Sequence, residues 1–138
     1  MINITFHGSH TSYNLAYHMV FITKRRKSVI MGQIREDLEQ IIREYCNEVY
    51  IKIDTLHIDT DHIHILFYAS PTLSIAEIAK KLKGRSSKIL REKHPELKEL
   101  DYIGYDKALW ARGYYCCTVG YTSFEEVEKY INEHDLVI

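Results

Sequence analysis

Between residues 13 and 23 apolar side chains fill nearly every position, with Tyr13, Leu15, Tyr17, Met19 and Phe21 on one face of an extended chain and Ala16, His18, Val20 and Ile22 on the other. Two largely apolar faces predict a central strand covered on at least one side. The period then changes. Ile34, Leu38, Ile41, Ile42, Tyr45 and Val49 recur at three and four residues, which predicts an amphipathic helix. Alternation returns over 51–59, a short turn around Thr60 follows, and a further strand carries His62, His64, Leu66 and Tyr68 on one face and Ile63, Ile65, Phe67 and Ala69 on the other. These two strands read as a hairpin. A two-residue turn would set Asp59 opposite His62 and His57 opposite His64. Ser74 followed by Glu77 resembles a capping box, and Ile75, Ile78, Ala79 and Leu82 start a helical stripe that resumes at Ile89 and Leu90, with a break or kink expected at Gly84. Pro95 lies beyond that helix, 97–106 reads as a loop and 110–120 as a fourth strand. Ser123 caps a last helix carrying Phe124, Val127, Tyr130, Ile131 and His134.

The order β-α-β-β-α-β-α predicts an α+β fold: a ferredoxin-like, RRM-like antiparallel sheet (βαββαβ) with two helices on one face and an extra C-terminal helix over about 123–135. At 138 residues the chain suits a single domain spanning 1–138. Hydrophobic content of 46% with 27% charged residues excludes a disordered chain. No apolar run approaches the length of a membrane span, and the first thirty residues lack a secretory pattern. Cys46, Cys116 and Cys117 are an odd number, and the adjacent pair diverges in a strand, so reduced thiols in the cytoplasm are expected. The formal net charge of −1 removes any argument from overall basicity. Charge is instead local: Lys24-Arg25-Arg26-Lys27 forms one cluster, and Lys80, Lys81, Lys83, Arg85, Lys88, Arg91 and Lys93, opposed only by Glu92, form a second. A solvated helix face is the plain alternative for the second cluster.

Chemistry enters with the histidines. His62 and His64 sit where a purely structural strand would place hydrophobes, and at about 3.3 Å per residue their Cα atoms lie roughly 6.5–7 Å apart, close enough to converge on one cation. Two polar residues on the wet face of a sheet would give the same pattern. Tyr130 and His134, four apart, share one face of the last helix. A phenol with a reference pKa of about 10 is a weak nucleophile. Beside a divalent cation that polarises a phosphoryl oxygen it can attack phosphorus and form a phosphotyrosine. Three protein ligands, His62, His64 and His134, would leave positions open for phosphate oxygens. Such a set suits zinc or manganese as well as magnesium. With eleven tyrosines in the chain, packing is the ordinary role for any one of them.

Taken together, Tyr17-His18, the Lys24–Lys27 cluster, Asp61-His62-Ile63-His64-Ile65-Leu66, Leu82-Lys83-Gly84-Arg85-Ser86-Ser87, Trp110-Ala111-Arg112-Gly113-Tyr114, Thr118-Val119-Gly120 and Val127-Glu128-Lys129-Tyr130-Ile131 resemble the single-tyrosine HUH transposases of small bacterial and archaeal insertion sequences. The resemblance covers about residues 9–134. It implies a DNA transposase acting on single-stranded element ends folded into hairpins, with His62 and His64 as the metal pair for Mg or Mn and Tyr130 as the nucleophile joined to a DNA 5′ phosphate. It further implies a homodimer in which the tyrosine helix of one subunit completes the histidine site of the other. Relatives often carry glutamine where this chain has His134. Lys24, Arg25, Arg26, Lys83, Arg85, Ser86, Ser87 and Lys88 are the residues expected to contact DNA. A domesticated relative that processes chromosomal repeat hairpins would use the same residues. A non-catalytic nucleic-acid-binding module would leave the histidines as surface groups.

Overall fold

A computed structural model describes residues 5–100, 108–119 and 131–132, with 99 and 100 as backbone alone. Its first feature was not expected from the sequence: a short antiparallel hairpin of β1 (Phe6–His7) and β2 (Ser12–Tyr13). Tyr13 is thereby drawn away from the strand that follows and stacks on Phe6, whose ring also packs on Tyr68. The predicted central strand is β3 (Ala16–Ile22). It is followed by helix α1 (Gly32–Glu48), strands β4 (Lys52–Ile58) and β5 (His62–Tyr68), helix α2 (Ile75–Lys93) and strand β6 (Tyr115–Thr118). Short 3-10 segments occupy Lys24–Arg26 and Pro95–Leu100, the latter in part of the expected loop.

The main sheet has the order β4-β5-β3-β6 with antiparallel neighbours throughout, as the ferredoxin-like reading requires. The two helices cover one face. Met19 and Phe21 of β3 and Ile63, Ile65 and Phe67 of β5 meet Leu38 and Ile42 of α1 and Ile78, Leu82 and Leu90 of α2 in one buried cluster. At roughly 1.5–3 kcal/mol for each large apolar side chain removed from water, this layer supplies the main cohesion of the domain. Asp37 on α1 ties that layer to the end of α2. Its carboxylate accepts from Gln33 at 2.9 Å and meets His94 Nε2 at 2.7 Å. Those two bonds, Gln33 first, hold the Asp37 carboxyl below the usual range.

Two expectations meet different outcomes. Asp59 N–H donates to the His62 carbonyl at 2.8 Å and His57 pairs with His64, so the hairpin has the predicted register. Gly84, by contrast, does not break its helix: α2 is continuous for 19 residues. A glycine costs about 1 kcal/mol in a helix interior. The flanking Leu82, Ser86 and Leu90 are buried and outweigh it. The Ser74 cap is present, its Oγ accepting from Glu77 N–H at 3.0 Å.

The strand expected over 110–120 is regular only at Tyr115–Thr118, while upstream Trp110 makes an isolated bridge to Thr23. Cys116 pairs with Met19 and Cys117 with His18, which points the adjacent thiols to opposite sides of the sheet. Burial pushes both Cys46 and Cys116 up to about 12. The expected helix over 123–135, with Tyr130 and His134, lies outside the described residues except for Ile131 and Asn132, which are helical. No described helix is long and apolar enough to cross a membrane.

Candidate active site

The face of the sheet opposite the helices carries the histidines. In β5 the odd residues Ile63, Ile65 and Phe67 are buried, whereas His62, His64 and Leu66 are only partly buried. Strand alternation alone produces this split. The His62 and His64 rings lie 5.8 Å apart and nearly parallel, at 21°. Pairing of β4 with β5 brings the His57 ring to 4.7 Å from that of His64. Pairing of β3 with β5 adds His18, whose Nε2 lies 3.3 Å from His64 Nδ1. His57 was anticipated near the pair. His18 was not singled out as a neighbour of it, although alternation from Val20, the cross-strand partner of His64, puts it on the same face.

Nδ1 is engaged on both rings of the pair, at 2.7 Å to Asp61 Oδ1 for His62 and to His18 for His64. Each ring is left with Nε2 as its donor atom for a ligand. Burial first, and then the neighbouring imidazoles of His57, His18 and His62, push His64 down to about 4. It is therefore a neutral imidazole at physiological pH, the form that binds a metal. Among the described residues no three His, Cys, Asp or Glu side chains form a group able to hold a metal ion. The donor chemistry of His62 and His64 fits a divalent cation whose remaining positions are filled from elsewhere. His134, expected as a third ligand, lies outside the described residues.

Asp61 is itself held. Arg26 donates to Asp61 Oδ2 through Nε at 3.0 Å, and its Nη2 lies 2.9 Å from the same oxygen. Its Nη1 donates to the Ile131 carbonyl at 3.1 Å. Arg25 and Arg26 both adopt positive φ, 55° and 50°, a conformation that costs a non-glycine residue on the order of 1 kcal/mol. The surrounding turn enforces it: Thr23 N–H and Oγ1 both bond the Asp61 carbonyl, and Arg26 N–H bonds the Thr23 carbonyl. Arg26, expected to reach DNA, has a side chain only 14% exposed and bonded within the protein. Ile131, the residue after Tyr130, packs on Val20 and so lies on the histidine face.

Several of the other residues expected at DNA also have internal partners. Lys83 Nζ donates to the carbonyls of Ala111 and Gly113 at 2.8 and 2.7 Å, and desolvation lowers its pKa. Arg85 pairs with Glu48 at 2.8 Å and lies over the Tyr45 ring. Ser86, fully buried, donates to the Leu82 carbonyl and accepts from Trp110 Nε1, while Ser87 Oγ accepts from Leu109 N–H. The Lys83–Ser87 stretch thus fastens 109–113 to α2.

A sequence model described as "Transposase IS200 like" matches residues 11–134. The chain belongs to the IS200-like transposase family. Relatives of this transposase include the ISDra2 transposase TnpA of Deinococcus radiodurans, 32% identical over 89% of this chain and 86% of that protein. The transposase for insertion sequence element IS200 of Salmonella typhimurium is 34% identical over 93% of this chain and 81% of that protein. A crystal structure described as that of a transposase from Deinococcus radiodurans superposes with a TM-score of 0.84 at 26% identity, over 93% of this chain and 96% of the other. A REP-associated tyrosine transposase solved with a REP hairpin shares the fold, with a TM-score of 0.56 at 9% identity over 86% of this chain and 62% of that one. The family activity is that of a DNA-cleaving enzyme.

On this transposase the fastened 109–113 segment and α2 border a cleft of about 690 Å³. Lys83, Lys88, Arg91 and Arg112 line it together with the single acid Glu92. Lys88 and Arg112 are exposed there, and Arg25 and Lys27 are exposed on the other basic cluster. Charge counting identified the basic regions but not which cations face solvent.

Proposed function

We propose that this transposase cuts and rejoins single-stranded DNA at hairpin-bearing ends of its insertion element, with Tyr130 as nucleophile and a divalent cation, Mg or Mn, held by His62 and His64. The observation that carries the reading is the pair of adjacent imidazoles, each with Nδ1 committed and Nε2 left to bind. The placement of Ile131 on Val20 supports it, because it brings the chain next to Tyr130 onto the same sheet face. His134 is the proposed third ligand. The bound cation supplies Lewis-acid polarisation of the scissile phosphate.

In the cleavage step the Tyr130 phenolic oxygen bonds to phosphorus as the bond from phosphorus to the 3′ oxygen breaks. The phenol gives up its proton, the leaving oxygen takes one up to become a 3′ hydroxyl, and the 5′ phosphate remains on tyrosine. Attack of a 3′ hydroxyl on the phosphotyrosine reverses the exchange without a high-energy cofactor. Arg25, Lys88 and Arg112, with the lysines beside them, bind phosphates of the hairpin, while Lys83, Ser86 and Ser87 shape the cleft. The working species is a homodimer whose tyrosine helices are exchanged between subunits. The contacts Ile131 makes on its own chain are of the kind an exchanged helix would make on its partner.

Incubating the protein with single-stranded element ends and Mn or Mg should give a denaturation-resistant adduct attached at Tyr130. Tyr130→Phe should lose the adduct and keep hairpin binding; an undiminished adduct in that variant refutes the nucleophile. Mixing His64→Ala with Tyr130→Phe protein should restore cleavage through mixed dimers if the helices are exchanged, and no recovery would place the site within one chain.

A further inference from the structure

We propose that Arg26 is a positioning residue that couples docking of the tyrosine helix to the orientation of His62, acting through Asp61. The inference rests on the reading of Tyr130 and the histidine pair given above. Its basis is a continuous chain of hydrogen bonds. The Ile131 carbonyl, one residue from Tyr130, accepts from Arg26 Nη1; Arg26 Nε and Nη2 hold Asp61 Oδ2; and Asp61 Oδ1 meets His62 Nδ1. The side chains of Arg26, Asp61 and His62 are only 14, 18 and 13% exposed, so bulk water competes little for these bonds.

The two carboxylate oxygens are divided between Arg26 and His62. A carboxylate on Nδ1 fixes both the rotation of the ring and the tautomer that offers the Nε2 lone pair. Arg26 fixes the carboxylate in turn. A guanidinium is suited to this because its planar fork donates in several directions at once, whereas a lysine ammonium on a flexible stem lacks that fixed geometry. Two successive left-handed residues, locked by the Thr23–Asp61 bonds, aim the side chain inward from a cluster whose other members include the exposed Arg25 and Lys27. An undocked helix would remove one of the partners that hold the guanidinium. His62 would then be less well oriented until the nucleophile's helix is in place.

The test uses Arg26→Lys and Arg26→Gln in the full chain. Three measurements are made: imidazole nitrogen NMR of His62, Mn binding followed by electron paramagnetic resonance, and hydrogen exchange at the amides of 131 and 132. We expect His62 to pass from a single Nδ1–H tautomer to a mixture, Mn affinity to fall roughly 10- to 100-fold, and exchange at 131 and 132 to accelerate. Adduct formation should fall at saturating DNA, with hairpin affinity nearly unchanged. An unaltered His62 tautomer and Mn affinity would overturn the proposal, as would an adduct defect that disappears at saturating DNA, which would make Arg26 a phosphate contact. If the Arg26 variants do not fold, Asp61→Asn, which removes the charge at nearly constant shape, decides by the His62 tautomer and Mn binding. These two readouts need no cleavage. They therefore stand apart from failure of the nucleophile assignment, which the Tyr130→Phe adduct reveals separately.

Discussion

The two faces of β5 are drawn from alternate residues of one seven-residue strand and have opposite environments. Ile63, Ile65 and Phe67 lose essentially all contact with water against α1 and α2. His62 and His64, on either side of Ile63, stay partly open, with each Nδ1 bonded to a neighbouring side chain. The first face contributes cohesion without direction, and the second contributes direction with little cohesion. A period of two lets substitutions on one face leave the other largely undisturbed. Stability and activity should therefore be separable position by position along the strand.

The strongest way to break that separation is His64→Ala. It should abolish adduct formation while lowering stability by about 1 kcal/mol or less, the net value of one hydrogen bond. A loss of several kcal/mol in urea unfolding would show the histidine face to be part of the core. Phe67→Ala should do the reverse, costing about 3–5 kcal/mol of stability in the same unfolding measurement. Whatever protein remains folded should still form adduct.

Ser86→Ala tests the cleft side of the comparison. It leaves the buried Trp110 Nε1–H without the acceptor it now has, at a cost of about 1–3 kcal/mol. Hairpin affinity should fall only as far as the 109–113 segment loosens, and a strong salt dependence of the defect would instead indicate a lost phosphate contact. The smallest expected effect is on acid stability. Because the folded-state pKa of Asp37 is lowered, the stability it provides is present above the ordinary carboxylate range and lost as pH falls through and below it. Asp37→Asn should make unfolding midpoints less steeply dependent on pH below about 4.

The sequence was most informative where the signal was local. Alternation in β3 and β5, the three-and-four spacing of α1, the Ser74 cap and the hairpin setting His57 opposite His64 each involve residues close along the chain. The β1–β2 hairpin escaped because two residues per strand carry no detectable period. The roles of the basic residues escaped for a different reason. Arg26 finds Asp61 at a separation of 35 residues and Lys83 finds Ala111 at 28, so nothing in the local charge pattern tells a phosphate contact from an internal tie. Gly84 showed the limit of propensity, since burial of the residues around it outweighed its preference. The histidine pair was legible as a motif, but its Nδ1 partners, Asp61 and His18, became visible only with the strands paired.

The adjacent thiols give the sheet a built-in chemical address. Cys46 and Cys116, pushed up to about 12, hold a negligible thiolate fraction at neutral pH and should resist alkylation. Cys117, on the other side of the sheet and across from His18, is partly exposed and open to a maleimide dye. A fluorophore there would sit at the edge of the histidine array without mutation of the protein. Its emission could follow the arrival of DNA and cation in real time.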